Sequence, residues 1–176
     1  MRKGLSTLFL LLATINVLWA QRDRGQLELG ATYTRFTIEE LSTYSVNAEF
    51  VKTFTGPIVL GFGGSYARAE RLDTLSVDQE LISFAIALHV YYALFKDDRQ
   101  QLLAGGGLSG RFFNDQWLLD PELLVQKSAF KPGLALAAQY NFNLSDQWSI
   151  GGRATLQVYE NENRVFLLGG HIGYSF

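Results

Sequence analysis

Residues 166–176 read Phe-Leu-Leu-Gly-Gly-His-Ile-Gly-Tyr-Ser-Phe. Phe166, Leu168, Gly170, Ile172, Tyr174 and Phe176 share one parity, while Leu167, Gly169, His171, Gly173 and Ser175 share the other. Successive side chains of a strand point to opposite faces, so this period of two predicts a strand with one apolar and one mixed face. Working back from it, the same alternation recurs seven times. Ile82, Phe84, Ile86, Leu88, Val90 and Tyr92 interleave with Ser83, Ala85, Ala87, His89 and Tyr91. Trp148, Ile150, Gly152, Ala154, Leu156 and Val158 interleave with Ser149, Gly151, Arg153, Thr155 and Gln157. The predicted strands span 26–36, 43–54, 57–69, 80–95, 101–113, 129–142, 147–159 and 165–176. A tilted strand of about 9–11 residues crosses a bilayer, and nearly all of these reach that length.

Composition narrows the class. The chain has 176 residues, 48% of them hydrophobic and only 18% charged, where a soluble protein carries about a quarter. That apolar content excludes disorder. The absence of cysteine excludes a disulfide scaffold or a thiolate-ligated metal. A net charge of −2 with no basic run excludes a nucleic-acid binder. Residues 1–20 combine Arg2 and Lys3, an apolar stretch from Leu5 to Trp19, and small Ala20. This is the layout of a signal peptide and is short for a spanning helix. The expected domains are therefore a signal peptide over 1–20 and a barrel domain over 21–176.

The links alternate between short polar turns (Thr55 to Pro57, Lys96 to Gln100, Asn143 to Gln147) and longer ones (Arg68 to Gln79, Asn114 to Lys127). With the N-terminus in the periplasm, the short turns fall on the periplasmic side and the longer links outside, as in outer-membrane barrels. Three features set a lipid-facing apolar surface above a soluble barrel with an apolar ligand inside. The mixed face carries few charges but many Gly, Ala and Ser. Aromatic residues concentrate at strand ends, with Phe54, Tyr92, Phe95, Tyr140, Phe142, Trp148, Tyr174 and Phe176 at one end. Tyr33, Phe36, Tyr44, Tyr66, Phe112, Phe130 and Phe166 lie at the other. The third feature is the closing strand, where Gly170, Ile172, Tyr174 and Phe176 are spaced by two up to the last residue.

That closing strand resembles the C-terminal signal read by the barrel assembly machinery. The whole pattern resembles the small eight-stranded outer-membrane β-barrels of the OmpA-transmembrane or OmpX-like kind, with a flavour of Bacteroidetes-type bacteria. The resemblance implies an all-β fold: an eight-stranded antiparallel up-and-down transmembrane β-barrel after a cleaved signal peptide. It also implies the outer membrane of a Gram-negative bacterium as location, with outer-membrane lipid, lipopolysaccharide and the assembly machinery as partners.

Eight strands enclose a space that side chains fill, which excludes a wide porin. The expected occupant is a polar network of Glu49, His89, Tyr91, Arg153, Gln157, Tyr159 and His171, with Arg111 near the outer end. Buried charges need partners, so these read as structural glue. The alternative is an enzyme that modifies lipid A. The deacylase kind implies a serine two residues after its histidine, but Gly173 stands there after His171. The acyl-transfer kind implies a histidine near the outer rim, and both histidines fall mid-strand. No metal-ligand spacing, phosphate loop or nucleophile elbow is present, so no catalytic residue, metal or cofactor is expected. The longer links and outer turns carry about seven net negative charges, which suit bridging to anionic lipopolysaccharide through divalent cations. The link 114–127 also holds Trp117, Leu118, Leu119, Leu123, Leu124 and Val125. It is expected to fold onto the rim, extend the strands, or contact a surface partner.

Overall fold

The computed structural model describes residues 25–37, 40–54, 56–72, 78–120, 123–160 and 163–176, with the side chains of 71–78 and 117–124 left undescribed. The expected leader over 1–20 lies outside these residues. Eight strands form a closed antiparallel barrel in simple chain order: β1 (Gly25–Phe36), β2 (Leu41–Thr53), β3 (Ile58–Leu72), β4 (Asp78–Lys96), β5 (Gln100–Asp120), β6 (Leu123–Asn143), β7 (Trp148–Tyr159) and β8 (Arg164–Ser175). β8 closes on β1, with Gln26 opposite Ser175 and Phe36 opposite Val165. Closure leaves no free edge around the barrel body, so its backbone groups are paired within the ladder.

The period of two sets the faces. On β8, Phe166, Leu168, Ile172 and Tyr174 are exposed while Val165, Leu167, His171 and Gly173 are buried. Mid-barrel Leu29, Val46, Phe62, Leu88, Leu108, Leu136, Ile150 and Leu168 all point outward, so every strand contributes to one continuous apolar surface. The outward run from Phe166 to Phe176 covers ten residue steps. At about 3.3 Å per step and a tilt of about 40°, it spans about 25 Å, the height of the apolar band of an outer-membrane barrel.

Three tight turns sit at the end that carries Gly25 and Ser175, at 56–57, 97–99 and 144–147. The first of these uses Gly56 at φ 111°, a conformation that favours glycine. At the opposite end the two predicted long links are mostly strand. β3 and β4 stay paired out to Leu72 and Asp78, and β5 and β6 stay paired nearly to their tips, with Asp120 opposite Leu123. The predicted ends of these strands, at 69, 80, 113 and 129, mark where the outward face loses its apolar residues. A strand that leaves hydrocarbon changes its outward residues to polar ones while its backbone goes on pairing. The result is a four-stranded extension beyond the barrel body. β6 parts from β7 beyond Gly133, so Pro132, still opposite Gly110 of β5, has no partner on the β7 side.

Glycines on the inner face make room for large neighbours. Gly107 lies opposite His89 in the β4–β5 ladder, and a Cβ there would run into the carbonyl of Leu88. Backbone cannot move aside as a side-chain end can. Gly107→Val is therefore expected to cost at least about 2 kcal/mol by overpacking, read as a lower yield of the heat-modifiable folded band on a detergent gel. A full yield of that band would show that the ladder relaxes there.

Candidate functional site

The interior is layered. At the end that carries Gly25 and Ser175, Val51, Val59, Tyr91, Leu103 and Ala137 form an apolar plug. Above it sits the main charged network, to which six strands contribute. Arg153 on β7 is its centre: Nη1 donates to Glu49 Oε2 on β2, and Nη2 donates to Glu28 Oε2 on β1. Nε and Nη2 also donate to Gln139 Oε1 on β6, at 2.8 and 2.6 Å. Gln139 Nε2 in turn donates to Glu28 Oε1 at 2.7 Å. Glu49 Oε1 accepts the Tyr91 hydroxyl at 3.1 Å and lies 3.2 Å from His89 Nδ1, both on β4. His171 Nε2 on β8 sits 2.8 Å from Asn141 Oδ1, which also accepts from Gln139 Nε2 at 3.0 Å.

This is an ion cluster built on one arginine, with His89 Nε2 and His171 Nδ1 left as its unpartnered buried atoms among the described residues. One guanidinium with donors in a fixed fork faces two carboxylates, and each carboxylate takes further neutral donors. β3 and β7 supply glycine at this level. A Cβ on Gly61 would collide with Glu49 Oε1, and one on Gly151 would sit 2.5 Å from His171 Nε2. The small residues on the mixed face thus create the volume that the long side chains occupy.

A second network lies nearer the outer end and has a different character. Arg111 on β5 is fully buried. Its Nη1 donates to Ser83 Oγ at 2.7 Å, Nη2 to Gln157 Oε1 at 2.6 Å, and Nε to the Tyr159 hydroxyl at 3.2 Å. No carboxylate pairs with it among the described residues. Its guanidinium carbon lies instead 5.7 Å from the Phe36 ring centre and 6.0 Å from that of Tyr159, within cation–π range. Above it Phe36, Leu41, Leu81, Phe113 and Val165 cap the lumen. Between the two networks is a cavity bordered by Thr32, Ser65, Ala85, Ala87, Thr155 and Leu167.

All eight interior residues singled out from the sequence lie inside the barrel. Glu49, His89, Tyr91, Arg153 and His171 fall in the lower layer; Arg111, Gln157 and Tyr159 fall in the upper one. Gly170, Ile172, Tyr174 and Phe176 all face outward on the last strand. Glu28, Gln139 and Asn141 belong to the lower network but were missed. Glu28 was legible: counting back equally from the β1–β2 turn puts it directly opposite Glu49, on the inward parity. Gln139 and Asn141 share the inward parity of β6, but an amide gives no charge signal.

One aromatic assignment is corrected. Phe36 is not part of the outer ring. It shares the inward parity of Thr32 and Thr34 and packs at 6.3 Å from Phe113 inside. The other rings do form two outward bands. Trp148–Tyr174 (5.0 Å) and Phe50–Phe176 (6.2 Å) pair at one end; Tyr33–Tyr44 (6.0 Å) and Phe112–Phe130 (4.6 Å) pair at the other. His89 and His171 are only 4% and 6% exposed, so neither imidazole reaches the outer surface. Among the described residues no three His, Asp or Glu side chains converge to hold a metal. Of the link 114–127, the backbone of 114–120 and 123–127 is strand, and the apolar side chains over 117–124 lie outside the described ones.

No family profile and no curated protein matches the sequence. Solved structures do match. The attachment invasion locus protein Ail of Yersinia pestis is 14% identical, with a TM-score of 0.60 over 89% of this chain and 100% of Ail. A major outer membrane protein of Thermus thermophilus is 14% identical, with a TM-score of 0.67 over 89% of this chain and 100% of its own. Neisserial surface protein A is 14% identical, with a TM-score of 0.57 over 88% of this chain and 97% of its own. Identity at that level speaks for architecture alone. With a lipid-height apolar belt on all eight strands, two aromatic bands and a side-chain-filled interior, the chain has the fold of the small eight-stranded outer-membrane β-barrels.

Proposed function

We propose that the chain is a non-enzymatic integral barrel of a Gram-negative outer membrane, serving envelope structure or surface interaction. One observation carries this reading: the molecule is apolar on the outside over the height of a bilayer and buries two polar networks inside, an arrangement foreign to a soluble barrel. The interior is occupied by bonded side chains, which suits anchorage better than passage of solutes. What is left to act is the part beyond the membrane, namely the four-stranded extension of β3 to β6. Its acidic sequence supports bridging to lipopolysaccharide through divalent cations, and its long paired hairpins support contact with a surface partner, including through 114–127. Export by the leader over 1–20 and recognition of Gly170, Ile172, Tyr174 and Phe176 by the barrel assembly machinery complete this reading.

The enzymatic alternative gives a sharp test. Cells carrying the His89→Ala, His171→Ala double variant are expected to show the same lipid A acylation profile as cells with the unaltered chain, with both proteins at equal level in the outer-membrane fraction. A changed acyl pattern would overturn the non-enzymatic reading.

A further inference from the structure

The ring of outward residues just above the outer aromatic band has an uneven charge. Going round the barrel it reads Arg35 on β1, Ser42 on β2, Arg68 on β3, Glu80 on β4, Asn114 on β5, Ser128 on β6, Glu160 just past β7, and Arg164 on β8. Three of these are arginines, and they are not equivalent. Arg68 is already engaged, with Nη2 at 2.9 Å from Glu70 Oε1 and Nε at 2.7 Å from Glu80 Oε1. Arg35 and Arg164 are exposed, and among the described residues no carboxylate lies within ion-pair distance of either.

The ladder brings these two together. Arg35 is opposite Phe166 and Phe36 is opposite Val165, so Arg164 is the diagonal cross-strand neighbour of Arg35 on the same outward face. Diagonal side chains of this kind start about 7 Å apart, within joint reach of one tetrahedral anion. The backbone beneath is tied down. Thr37 N and its hydroxyl both donate to Arg164 O, at 3.0 and 2.8 Å, and Arg164 N donates to Thr37 Oγ1 at 3.1 Å. Directly below, toward the middle of the belt, lie Phe166, Tyr33 and the highly exposed Tyr44.

Two guanidiniums with no carboxylate partner among the described residues, at the edge of an apolar belt and over a shelf of aromatic rings, match a particular kind of molecule. It carries phosphate at the level of the arginines and hydrocarbon chains at the level of the rings. Guanidinium forks bind phosphate oxygens two at a time, and aromatic rings settle at the headgroup level. We infer that Arg35 and Arg164 form a clamp for the phosphate of a phosphorylated outer-leaflet glycolipid, whose acyl chains lie along the β8–β1–β2 face. This rests on the outer-membrane reading above. It places lipid contact at the two arginines of β1 and β8, apart from the extension of β3 to β6.

The test uses the whole mature chain refolded in zwitterionic detergent micelles, with folding verified first by heat-modifiable gel migration. Purified lipopolysaccharide and the same material after enzymatic dephosphorylation are each titrated in. The unaltered chain is expected to bind the phosphorylated form at least about tenfold more tightly. The Arg35→Gln, Arg164→Gln double variant is expected to lose that preference, and Arg68→Gln is expected to keep it. Equal affinity for the two forms, or a preference that survives in the double variant, would overturn the clamp. Competition by inorganic phosphate at the same concentration as the glycolipid would also overturn it, by assigning the pair to a soluble anion. A chain that fails to enter micelles at all would instead contradict the outer-membrane reading, so the two failures are distinguishable.

Discussion

Arg153→Met is expected to destabilise the barrel by about 3–5 kcal/mol, the usual cost of removing one member of a buried ion cluster. Among the described residues Arg153 alone bridges Glu28 and Glu49, which are 1% and 4% exposed. Without it, two carboxylates share a closed interior with His89 at 3.2 Å from Glu49 Oε1 and His171 at 3.8 Å from Glu28 Oε1 as the remaining basic groups. Methionine fills much of the same volume, so the loss reflects charge rather than a void. Urea unfolding of the refolded protein should show it as a lower midpoint with an unchanged slope. Adding Glu28→Gln and Glu49→Gln to Arg153→Met removes the orphaned charges and should recover most of the loss, because replacing a whole buried ion cluster by neutral groups is often close to neutral. A single variant as stable as the unaltered chain would show that the network is not what holds the interior together.

The second large effect concerns the outside. Leu136 is at mid-height on β6, 63% exposed, between Gly106 of β5 and Leu156 of β7. In a soluble protein an exposed Leu→Arg change is close to neutral. In lipid, an arginine at the midplane of a barrel costs about 2–4 kcal/mol. Leu136→Arg is therefore expected to lower the stability of the barrel in phospholipid vesicles by that amount. Gln126→Arg on the same strand, above the polar ring, should change it by less than about 0.5 kcal/mol. An effect below about 0.5 kcal/mol at both positions would place both in water.

Parity explains how much of this was legible. Because side chains alternate strictly along a strand, the sequence alone separated the lipid face from the interior on all eight strands. It also named Arg153, Glu49 and His89 as inward. Hairpin pairing, read from the short turn between Phe36 and Leu41, would have added Glu28. What parity cannot supply is contact across the lumen. Arg153 reaches Glu28 over 125 residues of separation, and that meeting depends on how the closed ladder staggers one strand against the next. The different fates of Arg111 and Arg153, one among rings and oxygens and the other between carboxylates, have the same origin. The strands run longer than predicted because hydrophobicity marks the membrane, not the strand: Glu70, Arg71 and Gln79 look like a loop, yet Glu70 lies opposite Glu80 and Arg71 opposite Gln79 in the β3–β4 ladder.

The central claim is that lipid covers the outward parity and not the inward one. The chain has no cysteine, so single cysteines at Leu134, Leu136 and Ala138, and at Ala135 and Ala137, can carry spin labels without background. In phospholipid vesicles the labels at 134, 136 and 138 are expected to collide freely with dissolved oxygen and to be shielded from a water-soluble nickel chelate. The labels at 135 and 137 are expected to be poorly accessible to both. Ready collision of the 134, 136 and 138 labels with the nickel chelate would contradict a lipid-facing belt and return the molecule to water.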